Sequence, residues 1–228
     1  MITFTKNEIR NIYNKHIKPL RRNGYYNKNN PLPDCPVKTW NRGWNNKDMP
    51  RNFAILDFID WTKKHNIVTG NELGITCSDD PELEFINYSN KTLLEYPPND
   101  LHIFNDLYSN KFDFFIFNQT IEHLYNPFLA LSNIYKYMKF EGYIYTTVPT
   151  LNKPHMTPIH FNGYNPMGLA MLFKSAGFEI MEIGQWGNYD YISKLFKFHK
   201  WPDARWVEHH NEENNVVQCW ILAKKLNI

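Results

Sequence analysis

The sequence contains few cysteines, few glycines and no long apolar run. Its three cysteines, Cys35, Cys77 and Cys219, form no C-x-x-C pair, which argues against a disulfide framework, a zinc cluster or a dithiol redox centre. No run of about 18 apolar residues is present for a membrane span. The amino-terminal residues carry charges throughout and lack the apolar segment of a signal peptide. These absences predict a cytoplasmic protein.

An excess of one charge is absent as well. The 25 Lys and Arg residues balance 23 Asp and Glu residues, so the formal net charge is +2. This balance disfavours nucleic acids and acidic membrane surfaces as partners, and with them a function in nucleic-acid methylation. The 228 residues, 43% of them hydrophobic, suffice for one globular domain with a full core.

From residue 51 onward, short apolar runs alternate with amphipathic helices. This alternation predicts an α/β fold with a doubly wound, mostly parallel sheet of seven strands, one of them an antiparallel strand near the carboxyl end. The predicted strands are GNELGITCSDDPEL, KTLLEYP, NDLHIF, KFDFFIFNQT, YIYTTVP, FEIMEIG and VVQCWILAKK. Two helices, NPFLALSNIYKYMK and NPMGLAMLFKSAG, begin with Asn-Pro, and the second is ended by Gly177. Residues 1–50 hold a short helix near residues 7–17 and are otherwise aperiodic, which predicts a cap or lid ahead of a domain spanning residues 51–228.

Residues 111–150 contain an Asp before a strand, Glu-His-Leu after it, and a glycine and a proline bounding the following strand. These are Asp113, Glu122, His123, Leu124, Gly142 and Pro149. Downstream, a loop with histidines precedes a helix that ends in Ala176, Gly177 and Phe178. Over residues 51–226 the chain resembles class I, Rossmann-like S-adenosylmethionine-dependent methyltransferases. The resemblance implies S-adenosylmethionine as cofactor, S-adenosylhomocysteine as product, and O-methylation of a small molecule, sugar, sugar nucleotide or glycan, with glycan biosynthesis as the setting.

The cofactor-binding residues that the resemblance implies all follow predicted strands. They are Gly74, Thr76 and Ser78 at the methionine part, Glu95 at the ribose, Asp100 and Leu101 at the adenine, and Asn118, Gln119, Thr120 and His123 around the sulfonium. Glu95 lies about 20 positions after Gly74, the spacing at which an acidic residue accepts hydrogen bonds from ribose hydroxyls. The first loop has no G-x-G-x-x-G motif, since Thr76, Cys77 and Ser78 occupy the glycine region. A non-catalytic methyltransferase-like binding module is therefore the alternative function.

Methyl transfer to a hydroxyl group needs alignment of the reactants and a base, for which histidine is well suited. His155 and His160 follow a predicted strand at the active-site edge, and either can serve; His160 is favoured because the resemblance places a histidine beside Phe161. The other interpretation of His160 is a structural hydrogen bond that anchors the loop. A divalent metal is a second way to acidify the hydroxyl, with His209 and His210 joining His155 and His160 as ligands. No spaced cluster of carboxylates and histidines supports it, and no metal is predicted.

Aromatic and arginine side chains outside the cofactor half are candidates for the acceptor site. Trp40 and Trp186 can stack on a sugar face, and Arg42 and Arg205 can bind a carboxylate or phosphate. The sequence therefore predicts a compact, ring-like acceptor. It carries no signal for an oligomeric state.

Overall fold

The computed structural model describes residues 3–22, 37, 49–67, 71–155, 158–203 and 206–227. The helices are α1 Lys6–Ile12, continued by a π-helical turn Tyr13–Ile17, α2 Lys18–Arg22, α3 Met49–Lys64, α4 Pro127–Tyr137, α5 Pro166–Ser175 and α6 Tyr189–Phe198. The strands are β1 Glu72–Ile75, β2 Asn90–Leu93, β3 Phe112–Ile116, β4 Met138–Pro149, β5 Glu179–Trp186 and β6 Gln218–Lys224. Within these ranges, no helix has the length and apolarity needed to cross a membrane.

All six strands form one mixed sheet in the order β2-β1-β3-β4-β6-β5. The pairs β1 with β2, β1 with β3, and β3 with β4 are parallel, whereas β6 is antiparallel to both β4 and β5. This arrangement confirms the predicted α/β class and the antiparallel strand near the carboxyl end. The predicted count of seven strands is wrong for the described residues, which form six.

The missing strand is the predicted NDLHIF segment, which forms a turn. The Asp100 carboxylate accepts a hydrogen bond from the His102 amide at 2.9 Å, which closes a tight turn. Ile103 is 69% exposed, so the apolar run does not supply a buried strand. A short 3₁₀ turn, Asp106–Tyr108, completes this connection between β2 and β3.

The helices of the second half begin where the sequence provides caps. The Asn126 side chain accepts from the Leu129 amide ahead of α4, and the Asn165 side chain accepts from the Gly168 amide ahead of α5. Gly177 has a φ of 103°, which permits the turn after α5. Both predicted helices are confirmed. The crossover from β1 to β2 is reduced to a 3₁₀ turn, Pro81–Glu84.

Two apolar layers cover the two faces of the sheet. On one face α3 packs through Phe53, Phe58 and Trp61. The other face is covered by α4 and α5, and Ile17 and Leu20 of the amino-terminal helices belong to the same cluster. Whether residues 1–50 act as a cap or lid stays a prediction, because most of residues 23–48 lie outside the described residues.

Candidate functional site

The strand order creates a crevice at the carboxyl ends of β1 and β3. The chain leaves β1 to pair on one side as β2 and returns to pair on the other side as β3, so the two connections diverge. Such a switch point is where open α/β sheets bind ligands. A cavity of about 210 Å³ lies there. Its lining residues include Arg51, Cys77, Asp79, Asp80, Asn118, Gln119, Asn152, Tyr191, Trp201 and Gln218.

Polar side chains join the loops that follow β1 and β3. The hydroxyl groups of Thr76 and Thr120 are 2.8 Å apart, and Thr120 Oγ1 donates to the Asn118 carbonyl. Because the single Thr120 proton goes to that carbonyl, the Thr76 hydroxyl donates to Thr120. The sequence predicted these residues at one site, and the structure brings them together.

The backbone after β3 is fixed against β4. The Thr147 amide donates to Asn118 Oδ1 at 2.9 Å, and the Gln119 amide donates to the Thr147 carbonyl at 2.9 Å. Gln119 has a φ of 45°, a conformation that non-glycine residues adopt infrequently and that surrounding contacts must hold in place. Asn118 and Gln119 therefore face the crevice in one defined orientation.

A buried ionic cluster forms one wall of the cavity. Arg51 Nη2 donates to Asp80 Oδ1 at 3.2 Å and to Glu82 Oε2 at 3.0 Å. Arg51 Nη1 donates to Thr147 Oγ1 at 2.6 Å, and that oxygen also accepts from Gln119 Nε2 at 3.1 Å. The cluster thus ties α3 to the β1 loop and to β4.

Burial raises the pKa of both carboxyl groups in this cluster. For Asp80, desolvation is the largest cause, repulsion from Glu82 adds to it, and the Arg51 charge opposes both. Desolvation likewise raises the pKa of Glu82 against the effect of Arg51. Burial also raises the pKa of Cys77 to about 12, so the thiol at the cavity is not a thiolate nucleophile at neutral pH.

Three histidines from the segments that follow β3 and β4 lie together. The ring centroids of His123 and His155 are 5.0 Å apart, those of His155 and His160 are 5.1 Å apart, and those of His123 and His160 are 6.0 Å apart. We call these residues the histidine cluster. It unites both predicted bases with His123, which the sequence placed at the cofactor. None of the three lines the 210 Å³ cavity.

A hydrogen bond and burial set the protonation of two rings in this cluster. The Ile159 carbonyl is 3.0 Å from His123 Nδ1, so this nitrogen carries the proton and Nε2 holds the lone pair in the neutral ring. Burial lowers the pKa of His123 and of His160, and the neighbouring His155 lowers both further. Both rings are therefore predominantly neutral at pH 7.

Glu122 is a buried carboxyl group beside this cluster. Its carbonyl accepts from the Phe161 amide at 2.7 Å, and its Oε1 is 3.8 Å from His123 Nε2. Its Oε2 is buried and has no hydrogen-bond partner among the described residues. Desolvation raises its pKa to about 8, although the Arg51 charge acts in the opposite direction.

We expect Glu122→Gln to change how stability depends on pH. The folded pKa of about 8 lies above the ordinary value of 4.5, so between these values the folded protein binds more protons than the unfolded one. The wild-type free energy of unfolding therefore falls as the pH rises through this window. Relative to wild type, the variant should gain about 1 kcal/mol per pH unit between about pH 5.5 and 7.5.

Urea denaturation at three pH values measures this effect. The exposed Asp106→Asn is the control and should differ from wild type by a constant amount. A difference between Glu122→Gln and wild type that does not change with pH would contradict the raised pKa.

The remaining predicted cofactor residues are more scattered. Gly74 is buried within β1, where an added Cβ would lie 2.4 Å from the Phe115 ring, so packing explains the glycine. Ser78 and Glu95 are exposed, and Glu95 follows the end of β2. Asp100 pairs with His102 in the turn, and the carbonyl of the buried Leu101 accepts a hydrogen bond from Asn133 Nδ2. None of these five lines the cavity.

The acceptor prediction requires one correction. Trp186 has an exposed fraction of 0%, stacks on Phe53, and donates its indole N–H to the His209 carbonyl. It is a core residue, and its ring faces are not available to a ligand. The other three predicted acceptor residues, Trp40, Arg42 and Arg205, lie outside the described residues. Trp201, another loop tryptophan, does line the cavity.

Arg51, Asp80 and Glu82 were not predicted as site residues. The sequence placed Arg51 at the start of the predicted domain, and it placed Asp80 and Glu82 within the first predicted strand segment. An arginine shortly before the apolar run of a helix, together with acidic residues that follow a buried strand, is the signal that could have indicated the pair. The described residues hold no group of three or more His, Cys, Asp or Glu side chains arranged as metal ligands.

No family model and no curated protein matches the chain. Among solved structures, a possible exported protein of Bordetella parapertussis matches at a TM-score of 0.50 and 9% identity, covering 78% of this chain and 69% of that one. The 1,6-didemethyltoxoflavin-N1-methyltransferase of Burkholderia thailandensis, with S-adenosylhomocysteine bound, matches at a TM-score of 0.49 and 12% identity, covering 76% of this chain and 79% of that one.

A phosphoethanolamine N-methyltransferase of Haemonchus contortus in complex with S-adenosyl-L-methionine matches at a TM-score of 0.49 and 13% identity, covering 81% of this chain and 55% of that one. At such identities, structural likeness speaks to the fold alone. The match to the Bordetella parapertussis protein, at a TM-score of 0.50, agrees with the α/β architecture described above.

Proposed function

We propose that this chain is an S-adenosylmethionine-dependent methyltransferase. The observation that carries the proposal is the polar crevice at the switch point, where Thr76 after β1 is hydrogen-bonded to Thr120 after β3 beside the cavity. The Glu-His-Leu and Ala-Gly-Phe segments of the sequence support the same activity.

The residues at this crevice fit the cofactor's chemistry. A buried carboxylate oxygen of Asp80 and the side-chain nitrogens of Asn118 and Gln218 have no hydrogen-bond partners among the described residues. They offer an acceptor and two donors, which suit an ammonium group and a carboxylate. Glu95, exposed at the same sheet edge, is available for the ribose hydroxyls.

S-adenosylmethionine, when bound, supplies an electrophilic methyl carbon on a sulfonium. Asn118, Gln119 and Thr120 orient the reactants, because their backbone is held by β4 and does not need to rearrange. The histidine cluster then removes the proton of the acceptor group, and we assign this role to His160, with His155 as the other candidate.

We further propose that the acceptor is a hydroxyl group on a sugar, sugar nucleotide or other small metabolite. A hydroxyl needs a base more than an amine does, and three neighbouring histidines provide one. Glycan biosynthesis is the setting that this acceptor favours. The exposed Trp201 at the cavity supplies an aromatic face for a ring.

The alternative is a binding module without turnover. It is favoured by the β1 loop, where Thr76, Cys77 and Ser78 occupy the region in which the family has glycines. Binding of S-adenosylhomocysteine with no transfer to any acceptor would distinguish this function from the enzyme.

We expect Glu95→Ala to weaken the binding of S-adenosylhomocysteine about tenfold or more, because it removes a charged acceptor of ribose hydrogen bonds. Calorimetry of both proteins measures the change. Glu72→Ala, at the opposite end of β1, is the matched control and should bind as wild type does. Equal affinity in all three proteins would reject the ribose site.

A further inference from the structure

The charge of the chain is unevenly distributed along the sequence. Residues 1–22 contain six Lys and Arg residues and one acidic residue, Glu8, so the side chains of this segment carry a formal charge of +5. The remaining residues carry −3, because the whole chain carries +2. The near balance of the complete sequence is therefore an average over a basic amino-terminal segment and an acidic remainder.

The basic segment forms an amphipathic helical layer on the outside of the sheet. Helix α1, the π-helical turn and α2 follow one another from Lys6 to Arg22, a length of about 25 Å. Ile17 and Leu20 are buried in the apolar cluster that α4 and α5 share. The solvent side of the layer carries four exposed cations, which are Lys6, Arg10, Lys15 and Lys18. The helices are thus anchored by one side and present charge on the other.

Acidic groups of the described residues offset little of this charge. Glu179 is 3.9 Å from Lys15, whose side chain is 68% exposed. Glu8 caps α1 through a reciprocal pair of hydrogen bonds with the residue that precedes the helix. Neither Lys6 nor Arg10 forms an ion pair with a carboxylate in the described part of the chain. The amino-terminal half of the layer therefore has cations available to an anionic partner.

Apolar side chains lie between these two cations. Lys6 and Arg10 are four positions apart on α1 and border a shallow depression of about 440 Å³ that Ile9, Tyr13 and Met167 also line. Ile9 is 39% exposed, although its neighbours on the same side of the helix pack against the core. A partner that fits this surface is anionic and also offers apolar contacts.

These two properties favour an anionic bilayer over a nucleic acid. At a bilayer surface, Lys and Arg contact the phosphate groups while an apolar side chain enters the boundary between headgroups and acyl chains. A nucleic acid offers phosphates to the cations, but its bases stack on aromatic rings, and Ile9 is aliphatic. The burial of Ile17 and Leu20 keeps the helices on the protein, so contact with the bilayer is peripheral.

We propose that α1, the π-helical turn and α2 form a docking surface for a bilayer that contains anionic phospholipids. Lys6 and Arg10 bind the headgroups, and Ile9 enters the interface beneath them. The six basic residues of the segment suffice for attraction to an anionic leaflet. The proposal does not rest on the proposed methyltransferase function, because none of these three residues lines the cavity at the switch point.

Co-sedimentation of the full chain with vesicles tests the docking surface. One set of vesicles contains phosphatidylcholine alone, and the other contains about one third phosphatidylserine. We expect binding to the anionic vesicles only. We also expect its loss at about 0.5 M salt, where the screening length falls to about 4 Å. Thermal unfolding establishes that each variant is folded.

Charge and apolar contact are separated by two variants. Lys6→Gln combined with Arg10→Gln should weaken binding to the anionic vesicles about tenfold or more, since each charge contributes about fivefold. Ile9→Gln leaves the charge unchanged and should weaken binding about threefold or more.

Lys63→Gln combined with Lys64→Gln is the matched control. It also removes two exposed cations, but these lie at the end of α3, which covers the other face of the sheet. Because they are not part of the docking surface, binding should change less than about threefold.

Equal binding to both kinds of vesicle, binding to neither, or equal effects of the Lys6/Arg10 and Lys63/Lys64 variants would overturn the proposal. Tighter binding of a single-stranded RNA than of the anionic vesicles would also overturn it and assign the surface to nucleic acid. Calorimetry with S-adenosylhomocysteine on the same proteins keeps the two proposals separate. Cofactor binding without vesicle binding rejects only the docking surface, and the reverse result rejects only the proposed function.

Discussion

Replacing Arg51 with Met should lower the free energy of unfolding by about 3–5 kcal/mol at pH 7.5. The substitution keeps most of the side-chain volume and removes the guanidinium that Asp80 and Glu82 share. Both carboxyl groups are buried, so losing this partner exposes them to the full cost of desolvation. Thr147 Oγ1 also loses a donor.

The loss should be smaller at pH 5 than at pH 7.5. Without Arg51 the folded-state pKa of each carboxyl group rises further above its unfolded value, so the folded variant retains protons that the unfolded chain gives up. Stability therefore falls as the pH rises. Urea denaturation of wild type and variant at both pH values measures the difference.

Lys64→Met is the matched control, because it breaks an ion pair with Glu182 in which the lysine is 63% exposed. Such a pair contributes about 0–1 kcal/mol, and its loss should change little between the two pH values. An Arg51→Met variant that loses less than about 1 kcal/mol at pH 7.5 would contradict the role given to the buried cluster.

The second large effect concerns catalysis. His160→Ala should lower kcat about 10²–10⁴-fold and leave the affinity for S-adenosylhomocysteine unchanged. In the proposed mechanism the imidazole accepts the acceptor's proton, and His160 is not one of the residues that line the cavity. Single-turnover kinetics with a hydroxylated acceptor and calorimetry with S-adenosylhomocysteine separate the two effects.

His155→Ala, measured alongside, compares the two predicted bases within the cluster. His65→Gln is the control, since His65 lies beside Tyr143 at the opposite edge of the sheet and should leave turnover unchanged. Turnover of His160→Ala within about threefold of wild type would remove His160 as the base and move the role to His155 or His123.

Local sequence signals predicted most of the fold. Asn126 and Pro127 mark the start of α4, and Gly177 marks the end of α5, because caps act within a few residues. The strand prediction for NDLHIF was wrong because a single local interaction decided the structure there: the Asp100 carboxylate holds a turn despite three apolar residues in the segment. Helix α6 was also missed, although Asn188 caps it.

The sequence could predict site residues that follow neighbouring parallel strands. It could not predict the pairing of charged residues that lie far apart in the chain on different kinds of element. Thr76 and Thr120 follow neighbouring strands, so their meeting across 44 positions follows from the sheet. The partners Arg51 and Asp80 are 29 positions apart on a helix and a loop, and no periodicity relates them. Trp186 was wrongly placed at the acceptor site, because the sequence does not show whether a tryptophan at the end of a strand is buried in the core or exposed to a ligand.

Cofactor binding by this chain is tested most directly by a calorimetric titration of the purified protein with S-adenosylmethionine and with S-adenosylhomocysteine. We expect one site per chain with micromolar affinity for both, despite the absence of glycines from the loop after β1. No heat of binding at millimolar ligand would contradict this expectation.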